Sequence, residues 1–198
     1  CDGLNIIIVK FNLLIFLKMS KLISVFMKLK QKVDMIIDAI LIVIGIVMLM
    51  LPTFKITDIK NLFFTIMILY AILNFIQFML TRKSKDYEGL YTMLISLGIG
   101  FVGLFFSFTN PFQLAASVLS WTTLMGIAKL IKTNYYNDRR DRMYKLRIFT
   151  LIAFMVLGLL TSINLYYETS VQVVVLGFFF YTHGILELID PLVKYLLS

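Results

Sequence analysis

Cysteine, histidine and tryptophan each occur once in this 198-residue sequence, as Cys1, His183 and Trp121, and proline occurs three times. A lone cysteine excludes a disulfide framework. One cysteine and one histidine cannot supply the usual ligand set of a zinc site, so no metal is expected. Charge is also scarce. Only 15% of residues are charged, against 60% hydrophobic and a mean hydropathy of +0.91. Soluble domains carry about a quarter charged residues, and disordered chains are poor in apolar ones, so both classes are excluded. Period-two alternation of apolar and polar residues is missing, which excludes an outer-membrane barrel. Closed helices are the other way to satisfy backbone groups in lipid.

What is present is a series of long apolar runs. A bilayer-crossing helix needs about 20 apolar residues, at about 1.5 Å each against a core of roughly 30 Å. Six stretches qualify: 35–51 up to Pro52, 61–80, 90–108 before Asn110-Pro111, 113–131, 146–166, and 171–190 up to Asp190-Pro191. The expected fold is all-α, a polytopic membrane protein with a six-helix domain over 35–198. Residues 1–34 read as an N-terminal extension, with Met19 or Met27 as the expected native start. Lysines recur among apolar residues from Lys18 to Lys32, a pattern that predicts an amphipathic helix on the membrane surface.

Positive charge collects on the cytoplasmic side of membrane proteins. With both termini inside, 17 of the 19 basic residues fall on that side and only Lys55 and Lys60 outside. The sequence thus predicts a multi-pass protein of the plasma (inner) membrane with cytoplasmic N- and C-termini. The net charge of +8 then follows from orientation and from attraction to anionic headgroups, and no nucleic acid is needed to explain it. The run Asp138-Arg139-Arg140-Asp141-Arg142 reads as a solvated loop.

The spans repeat. Gly45, Gly103 and Gly158 match in the odd helices, and Ala71, Gly126 and Gly184 in the even ones, at spacings of 55–58 residues. The unit is a helical hairpin used three times in one orientation, over about 35–85, 90–142 and 146–196. This differs from the inverted repeats of many transporters. Gly45-Ile46-Val47-Met48-Leu49-Met50-Leu51-Pro52 and His183-Gly184-Ile185-Leu186-Glu187 carry a resemblance. On these pieces, over about 35–190, the sequence resembles the HdeD family of acid-resistance membrane proteins. The third unit departs from the pattern, with Tyr167-Glu168 where proline would stand. The resemblance implies a small bacterial inner-membrane protein linked to acid stress. It brings no catalytic residues.

Gly98-Ile99-Gly100-Phe101-Val102-Gly103 satisfies a dinucleotide-binding pattern by letter. That motif requires a preceding strand, and here it lies inside an apolar span. Its glycines read instead as helix-packing positions, as do Gly45, Gly126, Gly158 and Gly184, because small residues let backbones approach in lipid. No nucleophile, phosphate-loop or protease motif occurs, so neither an enzyme nor a cofactor is expected.

Ionisable residues inside spans are costly and are functional candidates by default. Asn74, Lys129 and Glu187 hold one repeat position on helices two, four and six, at a similar depth. Around a pseudo-threefold axis they would converge, and Lys129 and Glu187 could pair. His183, four residues before Glu187, shares its helix face one turn deeper, and an unperturbed histidine is the side chain that changes charge near neutral pH. The competing reading leaves Lys129 and Glu187 facing headgroups and His183 hydrogen-bonded in the core. The expected function is a structural or stress-response role without catalysis, in contact with the lipid bilayer and with other membrane proteins or further copies of itself. The alternative is a proton- or solute-linked transporter or channel using Glu187, Lys129 and His183, with Asn74 in the same polar cluster. A wet polar interior would favour transport, and a dry one the structural role.

Overall fold

The computed structural model describes residues 29–55, 58–81, 87–105, 110–136 and 142–197. The predicted surface helix before residue 29, the loop holding Arg82, Lys83 and Lys85, and the charged run from Asp138 to Asp141 lie outside the described residues. Six helices among the described residues are long and apolar enough to cross a membrane. They are α1 (29–50), α2 (Ile59–Thr81), α3 (Glu88–Phe105), α4 (Pro111–Tyr136), α5 (Arg142–Asn164) and α6 (Thr169–Leu197). The all-α, polytopic fold is as predicted.

Local chemistry sets the helix ends. Pro52 opens a 3-10 turn at Leu51–Phe54, which closes on Lys55 at φ 59°. The Lys55 N–H donates to the Pro52 carbonyl at 3.0 Å. Asp58 caps α2 by accepting from the Asn61 N–H at 3.3 Å. Asn110 caps α4 by accepting from the Phe112 N–H at 2.9 Å, with Pro111 at the first helical position, where its missing donor costs nothing. The α5–α6 turn has no proline. Gln172 ties it instead, donating from Nε2 to the Leu165 carbonyl at 3.0 Å.

Two boundaries differ from expectation. Helix α1 already runs at residue 29, so Lys30 and Lys32 belong to the first spanning helix. Helix α6 continues through Pro191 to Leu197. Proline removes one intrahelical donor, and the Asp190 carboxylate holds this turn by accepting from Lys194 at 2.9 Å and from Arg147 of α5.

The odd helices start, and the even helices end, at the same end of the bundle. The closest packing joins each even helix to the next odd one: α2 lies against α3, α4 against α5, and α6 against α1. Glycine makes these approaches possible. A Cβ on Gly184 would sit 2.9 Å from the Ile42 backbone N, and one on Gly177 2.9 Å from that of Leu49. A Cβ on Gly45 would run into the Tyr181 backbone. Gly126 faces Met155, Gly158 faces Thr122, and Gly100 faces Met67 at 3.0 Å. Gly103 is buried. Gly98 is the correction: it is exposed, and a Cβ there would meet nothing within 4 Å. Its helix turns it outward, two residues out of phase with Gly100. Gly177 was not singled out in the sequence and belongs in its place.

The core gathers Trp121 and Met125 of α4, Phe154 of α5, Phe179 and Phe180 of α6, Phe63 and Met67 of α2, and Leu41 and Met48 of α1. Helix α3 buries only small or polar residues, Gly89, Thr92, Ser96, Gly100 and Gly103. Large apolar residues also cover the outside, such as Phe105, Phe149 and Ile131. So much exposed apolar surface suits lipid and not water.

Candidate functional site: a polar pocket at one end of the bundle

The charged ends of five helices enclose a pocket of about 160 Å³ that opens to the surface. Helix α1 contributes Lys30, Gln31, Asp34 and Asp38, and α2 Tyr70, Asn74 and Gln77. Helix α3 adds Glu88 and Thr92, α4 Lys129 and Lys132, and α6 Glu187, Asp190 and Lys194. A second pocket of about 60 Å³ lies on the other side of Glu88, Lys129 and Glu187, towards Arg147 and Phe154. A buried water needs roughly 10–15 Å³ and two to four polar partners, so the larger pocket has room and partners for on the order of ten waters.

Each hairpin closes on itself with one polar clasp at this end. Gln77 of α2 donates to Asp34 of α1, and Lys132 of α4 to Glu88 of α3. Arg147 of α5 donates twice to Asp190 of α6, at 3.0 and 2.9 Å. The partners are 43, 44 and 43 residues apart. Gln77, Lys132 and Asp190 are themselves spaced by 55 and 58 residues, the spacings of the small residues in the even helices.

The predicted cluster lies one turn deeper. Lys129 Nζ donates to Glu187 Oε2 at 2.5 Å and stands 3.7 Å from Glu88 Oε1. Asn74 lines the same pocket, its Nδ2 donating to the Tyr70 carbonyl at 2.8 Å. The structure therefore brings Asn74, Lys129 and Glu187 to one cavity. His183 sits below it, fully buried, with Nδ1 3.6 Å from Glu187 Oε1. Neither ring nitrogen has a hydrogen-bond partner among the described residues. Its ring lies among Phe154 at 4.5 Å, Trp121 at 5.5 Å, Phe179 at 6.0 Å and Tyr70 at 6.2 Å between centroids. Trp121 satisfies its own donor on Ser96 Oγ at 2.9 Å.

Sequence reasoning missed Lys30, Asp34, Asp38, Gln77, Glu88, Lys132 and Asp190 as members of the site. A signal was present for the first three. Lys30, Asp34 and Asp38 follow at four-residue intervals, which places them on one helix face, and Asp38 lies inside the predicted first span. The others sit within a turn of a span end, where the sequence cannot distinguish a headgroup contact from a pocket wall. Among the described residues no three His, Cys, Asp or Glu side chains are grouped to hold a metal ion.

Comparison of the chain with protein-family models, with curated proteins and with solved structures gave no significant match.

Proposed function

We propose that the chain is a solute-handling membrane protein of the transporter class, with the polar pocket as its vestibule and no catalytic role. One observation carries this reading. A cavity lined by carboxylates, ammonium groups and amides from five helices sits in a protein that otherwise presents apolar surface. Burying so many charges is expensive unless they are paired and hydrated, and a packing element gains nothing from the expense. The excess of basic residues at the pocket end supports a cytoplasmic opening and cytoplasmic termini in a bacterial-type cell membrane. The clasp separations, equal to within one residue, support three parallel hairpin repeats around a shared axis.

The test is flux. Purified protein in liposomes carrying a pH-sensitive dye should move protons or an added solute above the rate of empty liposomes, and Glu187→Gln should abolish the excess. Absence of flux at acid and neutral pH overturns the transport reading. A second reading is favoured by the other half of the bundle, where the Trp121, Phe154 and Phe179 rings close the path beyond His183. It is the HdeD-like role, a non-transporting stress protein acting through lipid or partner contacts. Loss of acid survival on deletion, without flux in liposomes, would support it.

A further inference from the structure

Asp38 is the carboxylate of the pocket for which the described residues provide no partner. It is about nine-tenths buried, with 7% of its surface exposed, and it lines the cavity. The cations around it are committed elsewhere. Lys129 is on Glu187 and Glu88, Lys132 and Lys30 are on Glu88, and Lys194 and Arg147 are on Asp190. Asp34 takes the Gln77 amide. The groups facing Asp38 are Asp34 on its own helix, Tyr70 on α2, Glu88 on α3, Lys129 on α4 and Glu187 on α6.

The repeat sets Asp38 apart. Fifty-eight residues on, at the same place in the second hairpin, stands Ser96, which accepts from the Trp121 indole. Fifty-five residues before Trp121 stands Ile66, which has no donor to offer. Two turns before Asp38 on the same helix, Gln31 Oε1 is buried and has no partner among the described residues, and the Asn74 amide nitrogen is already engaged on Tyr70. A buried carboxyl group with carboxylates on three sides and no donor beside it is matched, when ionised, by a donor-rich cation.

We propose that Asp38 is the contact residue of a binding site for a small monovalent ammonium-type cation, a primary alkylamine in its protonated form. The site rests on the solute-handling reading and names its substrate class. One unpaired carboxylate matches one positive charge. The N–H groups of the ligand donate to the Asp38 carboxylate. Protons compete for the same carboxylate, so binding weakens as pH falls.

Methylammonium chloride is the probe, titrated calorimetrically into the full-length protein in detergent. Tetramethylammonium, which has no N–H, and potassium serve as controls at equal ionic strength. The expected result is saturable binding of methylammonium alone, at least tenfold weaker at acid pH and in Asp38→Asn, and retained in Asp38→Glu. Absence of saturable heat, equal response to tetramethylammonium, or unchanged binding in a folded Asp38→Asn overturns the proposal. Should Asp38→Asn fail to fold, the pH series and the control cations on the parent protein decide alone. The flux assay separates the two readings. Methylammonium bound through Asp38 but not carried across vesicles retains the site and removes the transporter. Solute carried equally well by Asp38→Asn retains the transporter and removes the site.

Discussion

The two halves of this bundle solve the same packing problem with opposite materials. Towards one end, helices meet through glycine and rings: Gly45 against the Tyr181 backbone, Gly158 against Thr122, Trp121 edge-on to Phe154 and Phe179. Towards the other, where Gly89 still packs α3 on the Asn74 carbonyl of α2, polar side chains line a cavity and are joined by the clasps Asp34–Gln77, Glu88–Lys132 and Arg147–Asp190. In lipid, association depends on close van der Waals contact because hydrocarbon tails compete equally for apolar surface. The glycine half is therefore where the fold is held. The clasped half encloses a polar cavity, and that cavity is what makes it a candidate site.

The difference can be broken most severely at the dry half. Gly45→Leu places a side chain against the backbone of α6, and overpacking there should cost at least about 3 kcal/mol. The expected outcome is loss of a monodisperse, cooperatively melting species in detergent. Gly100→Leu, which meets a side-chain Cβ at 3.0 Å, should lower the melting temperature less, by an amount matching about 1–3 kcal/mol. At the wet half, a double-mutant cycle on Lys129→Met and Glu187→Gln should give a coupling of about 1–2 kcal/mol, the range for contacting charged partners; additive losses would remove the ion pair from the account. Trp121→Phe leaves Ser96 without its donor and should cost about 1 kcal/mol, read in the same melts. Gly98→Leu, on the open face of α3, should stay within about 0.5 kcal/mol, and a larger loss would mean that this face is packed.

These residues also mark what the sequence could and could not show. Span number, helix ends at Pro52 and Asn110-Pro111, and the meeting of Asn74, Lys129 and Glu187 were all legible, because apolar run length, turn chemistry and repeat register are local or additive signals. Gly98 was misread because a glycine run on one helix does not say which face packs; that depends on rotation, and Gly100 turns in while Gly98 turns out. Asp190 was taken as the end of its span because Pro191 follows. The salt links from Arg147 and Lys194 that hold the helix past it bring together residues 43 and four positions away, and only the first of these needs the tertiary fold. Asp38 was visible as a charge in an apolar run and was passed over. Its isolation depends on where five cations on four helices point, which no periodicity records.

The contrast between a wet and a dry half is tested most directly by aqueous access. In a Cys1→Ser background, single cysteines at Asn74 and at Leu176 would be exposed in membrane vesicles to a membrane-impermeant methanethiosulfonate, from one side and then from the other. The account predicts rapid modification at position 74 from the side on which the pocket opens, and none at position 176 from either side. Equal protection of both positions, or modification of 176, would contradict it.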